Sequence, residues 1–288
     1  MKITKTWLTL IALSALLILA ACGNDNSGSN AGSSSASASA GAESPKPADS
    51  STPSAHVDLT ISAAASLTDA LNEIKTAYEK AHSDTTLNFN FGASGALQQQ
   101  IENGAPADLF LSAAEKNMKA LVDGGLIDTG SETTLLKNEL VLVAAKGGKA
   151  SVTKAEDLTS PDVKKVAIGI PESVPAGSYA KEALTNAGLW DSLQSKLVQG
   201  KDVREVLQYV ETGNADAGFV YKTDALTSDQ VTVAAAVDPS SYTPITYPIG
   251  IVKATKHAEQ SKAFFDYLQT PEAMAVFEKY GFTAAASK

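Results

Sequence analysis

Strand-like and helix-like segments alternate along most of this chain, from Val57 to Lys288. A short apolar run at 59–61 precedes apolar residues at helical spacing, and residues 86–91 then alternate as a half-buried strand does. The same alternation continues to the end of the chain. It is typical of an α/β domain with mostly parallel sheets, and about 230 residues suffice for one large domain or two smaller lobes.

The individual patterns place the elements coarsely. We expect strands at 59–61, 86–91, 109–111, 139–145, 166–170, 217–221 and 249–252. We expect helices at 67–78, 95–102, 175–186, 202–211, 261–268 and 271–280, and one more that begins at Ser112. Two helix starts have the residues of a capping box, Ser112 with Glu115 and Asp202 with Glu205.

The N-terminal residues indicate export. Lys2 and Lys5 precede an apolar run at 7–21, which is short for a membrane span and has the length of a signal peptide core. The run ends in Leu19-Ala20-Ala21-Cys22, which resembles the lipobox of bacterial lipoproteins. The resemblance implies a lipoprotein signal peptide at 1–22, a lipid on Cys22 and a location on the extracytoplasmic face of the cell membrane.

Residues 23–56 consist mostly of Ser, Ala, Gly, Asn and Pro, with almost no large apolar side chain. Such a segment cannot bury enough surface to offset its conformational entropy, so we expect a disordered tether. Cys22 is the only cysteine, which leaves the folded part without a disulfide or a cysteine-based metal or catalytic site. The net charge of −9 does not suit nucleic acid, and local dipoles must attract any anionic ligand.

Several predicted strand-to-helix turns share one design, with small or hydroxyl residues at the start of the helix. These turns are Ala65-Ser66-Leu67, Ala93-Ser94-Gly95, Pro175-Ala176-Gly177 and Asp202-Val203-Arg204. The first turn of a helix has unpaired N–H groups and a partial positive charge, which together favour an anion. A single serine at such a position is more often only a cap, so the prediction depends on several turns meeting at one place.

Six short motifs follow one another in a distinctive order. They are Ala63-Ala64-Ala65-Ser66-Leu67, Phe91-Gly92-Ala93-Ser94-Gly95, Gly104-Ala105-Pro106-Ala107-Asp108-Leu109-Phe110, Val174-Pro175-Ala176-Gly177, Asp202-Val203-Arg204 and Gly218-Phe219-Val220-Tyr221. Together they resemble the molybdate-binding proteins of bacterial ABC transporters, and the resemblance covers nearly all of residues 57–288.

The resemblance implies a periplasmic-binding-protein-like α/β fold with two lobes joined by crossing strands and a ligand buried between them. Lobe one would comprise 57–138 and 246–288, and lobe two would comprise 139–245. The implied contacts are hydroxyl and backbone N–H groups of Ser66 and Ser94, backbone N–H groups of Ala176 and Val203, and the phenolic hydroxyl of Tyr221. The ligand would be molybdate or tungstate, with no cofactor and no metal cation.

The implied function is that of a lipid-anchored, monomeric receptor that delivers molybdate to the permease of an ABC transporter and its ATPase. Donors alone suit this ligand because molybdate is fully deprotonated near pH 7. Sulfate, being smaller, would leave some donors unpaired, at a cost of about 1–3 kcal/mol each. A receptor for sulfate, phosphate or an organic anion is the alternative within the same class, and a surface adhesion module is another reading of the tether.

A secreted serine hydrolase is the alternative from another class. Ser94 lies in Gly-Ala-Ser-Gly and not in the Gly-x-Ser-x-Gly motif of a nucleophile elbow, and the three histidines have no metal-ligand spacing. We therefore expect a binding protein and not an enzyme. We also expect Arg204 to lie in solvent, and Tyr179 and Tyr209 to be partly exposed.

Overall fold

The computed structural model describes residues 56–285. The predicted signal peptide, the predicted lipidation site Cys22 and the predicted tether lie outside the described residues, apart from His56. Among the described helices, none is long and apolar enough to cross a membrane.

Eleven strands and nine α-helices are formed by residues 56–285. The strands are β1 (Val57–Ala64), β2 (Thr85–Gly92), β3 (Leu109–Leu111), β4 (Ile127–Lys137), β5 (Leu140–Ala145), β6 (Val166–Gly169), β7 (Leu197–Gly200), β8 (Ala217–Tyr221), β9 (Val231–Ala236), β10 (Thr246–Val252) and β11 (Thr283–Ala284). The helices are α1 (Thr68–Ala81), α2 (Ser94–Glu102), α3 (Glu115–Asp123), α4 (Pro175–Asn186), α5 (Trp190–Leu193), α6 (Val203–Glu211), α7 (Lys222–Ala225), α8 (Ala258–Tyr267) and α9 (Pro271–Lys279).

The strands form two separate sheets. One has six strands in the order β11-β4-β10-β3-β1-β2, and the other has five in the order β7-β6-β8-β5-β9. We call the first sheet with its helices lobe one and the second sheet with its helices lobe two. The chain passes between them in two places, from β4 to β5 through Asn138 and Glu139, and from β9 to β10 through residues 237–245.

The prediction of mostly parallel sheets is wrong. β1 pairs in parallel with β2 and β3, and β6 with β7 and β8, but the remaining pairings of the described strands are antiparallel. The strands that run against the others are β5 and β10, each the first strand after a crossing, and β11 at the edge of the six-stranded sheet. The two-lobed α/β class itself is confirmed.

Helix starts agree with the sequence patterns in most cases but not at Ser112. α6 begins as predicted, with an Asp202 carboxylate oxygen accepting from the Glu205 N–H at 2.9 Å. The predicted capping box of Ser112 with Glu115 is wrong, since α3 starts at Glu115. The Ser112 hydroxyl instead donates to the carbonyl of Ala114, at 2.7 Å.

The interiors of the two lobes are apolar and tightly packed. In lobe one, Tyr78, Phe264 and Phe277 are almost completely buried, and in lobe two Phe219 and Val206 are. The prediction that Tyr179 is partly exposed is wrong, because this ring is buried against Tyr242. Tyr209 is partly exposed as expected.

A close approach of backbone to backbone fixes the start of α4 against β6. A Cβ at Gly177 would overlap the carbonyl oxygen of Gly169, and a Cβ at Gly169 would overlap the side chain of Val174. Only glycines permit this contact, and it places the first turn of α4 directly over the carboxyl end of β6.

Gly177→Ala is expected to lower the free energy of unfolding by about 1–3 kcal/mol, the cost typical of an overpacked core, although alanine is intrinsically the better helix former. Urea unfolding of residues 56–288 measures the change. Gly92→Ala is the matched control, because a Cβ there would meet only the Leu97 side chain, at 3.5 Å. Equal stability of the two variants would contradict the close approach.

Candidate functional site

A small cavity lies between the two lobes, where several helix starts meet. It is lined by Ala64, Ala65, Ser66, Gly92, Ala93, Ser94, Ala113, Val174, Pro175, Ala176, Val203 and Tyr221. All five residues predicted as ligand contacts are therefore brought together around one space. The cavity is small, which limits an occupant to one small molecule or ion.

Four chain turns bring the start of a helix to this cavity. Ser66 lies in a 3₁₀ turn, Ala65–Leu67, that leads from β1 into α1. Ser94 and Val203 are the first residues of α2 and α6, and Ala176 is the second residue of α4, after a proline. N–H groups at such positions have no acceptor within their own helix, so these turns provide donors and a partial positive charge.

The hydroxyl of Ser66 is held by a hydrogen-bonded group on lobe one and the first crossing. Its Oγ lies 2.9 Å from the hydroxyl oxygen of Tyr247, at the start of β10. The Nδ2 of Asn138 donates to the same Tyr247 oxygen at 3.1 Å, and also to the hydroxyl of Thr223 at 2.9 Å. All of these side chains are buried or partly buried, so the Ser66 hydroxyl is fixed in place.

The hydroxyl of Ser94 is fixed from lobe one. Its Oγ accepts a hydrogen bond from the backbone N–H of Ala113, at 2.9 Å, and the side chain is completely buried. One lone pair of the oxygen is thus used by the protein, and the hydroxyl proton remains to be donated to an acceptor in the cavity.

Tyr221 contributes a buried hydroxyl without a partner. The residue is 1% exposed, and its phenolic oxygen makes no hydrogen bond within residues 56–285. Burial raises the pKa of Tyr221 well above its ordinary value, so the phenol stays protonated and can donate. An unsatisfied buried hydroxyl costs about 1–3 kcal/mol, which an acceptor in the cavity would recover.

None of the described residues that line the cavity is a lysine, arginine, histidine, cysteine, aspartate or glutamate. The nearby carboxylate of Asp202 is occupied with capping α6 and does not line the cavity. Any charge on an occupant is therefore met by neutral hydroxyl and N–H donors. The same lining offers no general base for a serine nucleophile.

The expectation that Arg204 lies in solvent is wrong. Its Nη2 lies 2.6 Å from a carboxylate oxygen of Asp69, on α1 of lobe one, and its Nε lies 2.8 Å from Oδ1 of Asp224, on α7 of lobe two. The guanidinium side chain is only 26% exposed. Two carboxylates from different lobes attract it inward, so Arg204 joins the lobes beside the cavity.

Asp224 is completely buried behind Tyr221, whose backbone N–H lies 3.3 Å from Oδ2. Burial raises the pKa of Asp224 to about 6, while the Arg204 guanidinium and the Tyr221 N–H oppose that rise. At neutral pH the carboxylate is still charged, and it pairs with Arg204 and not with an occupant of the cavity.

Two further contacts hold the lobes together around the cavity. The N–H of Gly95, in the first turn of α2, donates to the carbonyl of Ser173 in lobe two, at 2.9 Å. A Cβ on Gly95 would lie 2.6 Å from that oxygen, so this approach of the lobes requires glycine. Lys116 of lobe one donates to the Ser178 hydroxyl of lobe two at 3.0 Å.

Three residues that organise the cavity were not identified from the sequence: Asn138, Tyr247 and Ala113. None of them lies in a helix-start motif. Asn138 and Tyr247 are distant from Ser66 along the chain, and no periodicity or motif indicated that they would meet it. No group of three or more histidine, cysteine or carboxylate side chains suited to a metal ion occurs among residues 56–285.

Comparison with known proteins relates this geometry to a family. The family model of bacterial extracellular solute-binding proteins matches residues 59–283. A substrate-binding lipoprotein assigned to an ABC transporter in Bacillus subtilis is 50% identical over 273 residues, which cover 95% of this chain and 96% of that protein. The molybdate-binding protein of Escherichia coli is 44% identical over 232 residues, which cover 78% of this chain and 88% of that one.

A solved structure agrees with these relatives. The periplasmic molybdate-binding protein of Azotobacter vinelandii superimposes with a TM-score of 0.72 at 27% identity, over 78% of this chain and 98% of that chain. The family match and the two relatives each cover more than two thirds of the sequence. The chain therefore belongs to the bacterial extracellular solute-binding proteins, a family of binding proteins and not of enzymes.

Proposed function

We propose that the protein is the molybdate receptor of an ABC transporter and that molybdate binds in the cavity between the lobes, in contact with Ser66, Ser94, Ala176, Val203 and Tyr221. The observation that carries the proposal is the donor character of this cavity. Two serine hydroxyls are held by the protein, a buried tyrosine hydroxyl has no partner, and no charged side chain competes. The names of the relatives in Escherichia coli and Azotobacter vinelandii support the same ligand.

A site made only of neutral donors suits an anion that carries no proton. Each oxygen of such an anion accepts hydrogen bonds, and charge-assisted bonds of this kind are stronger than neutral ones. The helix starts add partial positive charge without adding a competing acceptor. Tungstate has nearly the size of molybdate, so it is proposed as a second ligand of the same site.

Closure of the two lobes around the ligand would tell the transporter that the receptor is loaded. We propose 57–138 with 246–288 as one lobe and 139–245 as the other, in agreement with the strands at which the chain leaves and re-enters each sheet. A ligand that touches both lobes stabilises their closed arrangement, and the permease with its ATPase would recognise that arrangement. The receptor is proposed to act as a monomer.

The N-terminal segments would hold this receptor at the membrane. We propose that residues 1–22 are a lipoprotein signal peptide, that Cys22 carries the lipid, and that 23–56 tether the lobes to the extracytoplasmic face of the cell membrane. Support comes from the residues before Cys22 and from the relative in Bacillus subtilis, which is named a lipoprotein. Two acyl chains would give stable anchoring where one is marginal.

Cys22→Ser is expected to prevent lipid attachment, because the serine has no thiol to acylate. Full-length protein expressed in a lipoprotein-processing bacterium would lose its radiolabelled fatty acid and move from the membrane pellet to the soluble fraction. Ser27→Ala, a little further along the tether, is the control and should keep both label and location. Label retained in the Cys22→Ser protein would refute the anchor.

Ser66→Ala is expected to weaken molybdate binding by about 10- to 150-fold, because it removes a charge-assisted donor worth about 1.5–3 kcal/mol. Isothermal titration calorimetry of residues 57–288 measures this, after wild type has been shown to bind. Ser261→Ala is the matched control: Ser261 is also completely buried in lobe one but does not line the cavity. Unchanged affinity of Ser66→Ala would mean that the ligand binds elsewhere.

A further inference from the structure

We propose that Tyr247 and Asn138 act as positioning residues that orient the Ser66 hydroxyl so that it donates to the ligand and does not accept from it. The site would then favour oxyanions without a proton. The proposal rests on the proposed function, because it concerns the ligand of that same cavity. It is carried by the chain of contacts from Asn138 Nδ2 to the Tyr247 hydroxyl at 3.1 Å and from there to Ser66 Oγ at 2.9 Å.

The direction of this chain starts at Asn138. Its Oδ1 accepts from the Glu139 N–H at 2.9 Å, which assigns the other side-chain atom as the NH₂ group. That NH₂ group can only donate, and it lies within hydrogen-bond distance of both Tyr247 and Thr223. The Tyr247 oxygen is therefore an acceptor towards Asn138.

The proton of Tyr247 then needs an acceptor of its own. Tyr247 is 1% exposed, so a proton without a partner would carry the full cost of a buried unsatisfied group. Ser66 Oγ is the one other side-chain atom in hydrogen-bond contact with the Tyr247 oxygen among residues 56–285. Tyr247 accordingly donates to Ser66, and the Ser66 proton is left to point into the cavity.

Tyr247 keeps its proton at neutral pH. Burial raises the pKa of Tyr247 above its ordinary value, and the negative charge of Asp224 raises it further, whereas the contacts with Ser66 and Asn138 lower it. The ring of Tyr221 lies beside it, with 6.0 Å between the ring centroids, and is also a neutral phenol. The relay is thus the chain of neutral groups from Asn138 through Tyr247 to Ser66. Each group donates a hydrogen bond to the next, and Ser66 donates into the cavity.

Ser94 has the same polarity, since its oxygen already accepts from the Ala113 N–H. An oxyanion that carries a proton needs an acceptor in the site, and a Ser66 oxygen engaged by Tyr247 is poorly placed to serve as one. Loss of the Tyr247 hydroxyl frees the Ser66 hydroxyl to rotate and accept. Selectivity against a protonated oxyanion should then decrease together with affinity for molybdate.

The experiment is a double-mutant cycle of Tyr247→Phe and Ser66→Ala on residues 57–288, titrated with molybdate and with phosphate at pH 8 and pH 6. Tyr247→Phe should weaken molybdate binding about 5- to 20-fold, the order expected for one hydrogen bond. It should also lower the ratio of the affinity for molybdate to that for phosphate, and this ratio should fall most at pH 6. In the Ser66→Ala background the same change should have less than about a 2-fold effect, because the two residues act as one unit.

Tyr242→Phe is the matched control. Tyr242 is also buried, and its hydroxyl accepts from the Leu140 N–H at 3.2 Å without touching Ser66. Its loss should leave both affinities unchanged. Thermal unfolding shows whether Tyr247→Phe folds. If it does not, Asn138→Ala tests the relay from its other end, and it should lower the ratio of molybdate to phosphate affinity in the same way.

The relay is overturned if Tyr247→Phe binds both anions as wild type does, or if its effect is as large in the Ser66→Ala background as in the wild-type background. If the wild-type protein still binds molybdate when either of these results is obtained, only the relay is refuted and the proposed function stands. Wild type that binds sulfate in place of molybdate changes the ligand, and the cycle with sulfate then decides the relay. Binding of no oxyanion refutes both proposals.

Discussion

The proposed anion site depends first on N–H groups that have no acceptor within their own helix. The first turn of a helix leaves such groups behind, and in this protein the turns at Ser94, Ala176 and Val203, with the 3₁₀ turn at Ser66, face one small space. An acidic chain with a net charge of −9 can hold an anion in this way, because the attraction is local and does not require a countercharge.

The sheets and the small residues bring these turns together. β1 and β2 direct the turns at Ser66 and Ser94 from one lobe, while β6 and β7 direct those at Ala176 and Val203 from the other. Gly177 lets α4 pack directly on β6, and Gly95 lets the lobes approach through a backbone hydrogen bond. Larger side chains at these positions would keep the donors too far apart to share one ion.

Local pattern and the family resemblance named five residues that line one cavity, but not the residues that support them. That the five contact the ligand stays a prediction. Four of them lie at the end of a strand or within three residues of it: Ser66, Ser94, Val203 and Tyr221. Ala176 lies in the first turn of α4, and all five are in motifs that could be compared with a known family. Strand directions were mistaken because crossings between lobes leave no periodic signal, and the polar or short strands β4, β7, β9 and β11 were missed for lack of apolar alternation. Arg204 was misplaced since its partners, Asp69 and Asp224, come from distant segments.

The cavity is proposed to select a tetrahedral oxyanion by donors alone and by size, and thermal unfolding of residues 57–288 tests this most directly. Molybdate, tungstate, sulfate and phosphate are each compared with buffer. Ligand at about a hundred times its dissociation constant adds about 2.7 kcal/mol to the free energy of unfolding. We predict a higher Tm with molybdate and tungstate and no change with sulfate or phosphate. An equal rise with sulfate would contradict the size selection, and no rise with any anion would contradict the oxyanion site itself.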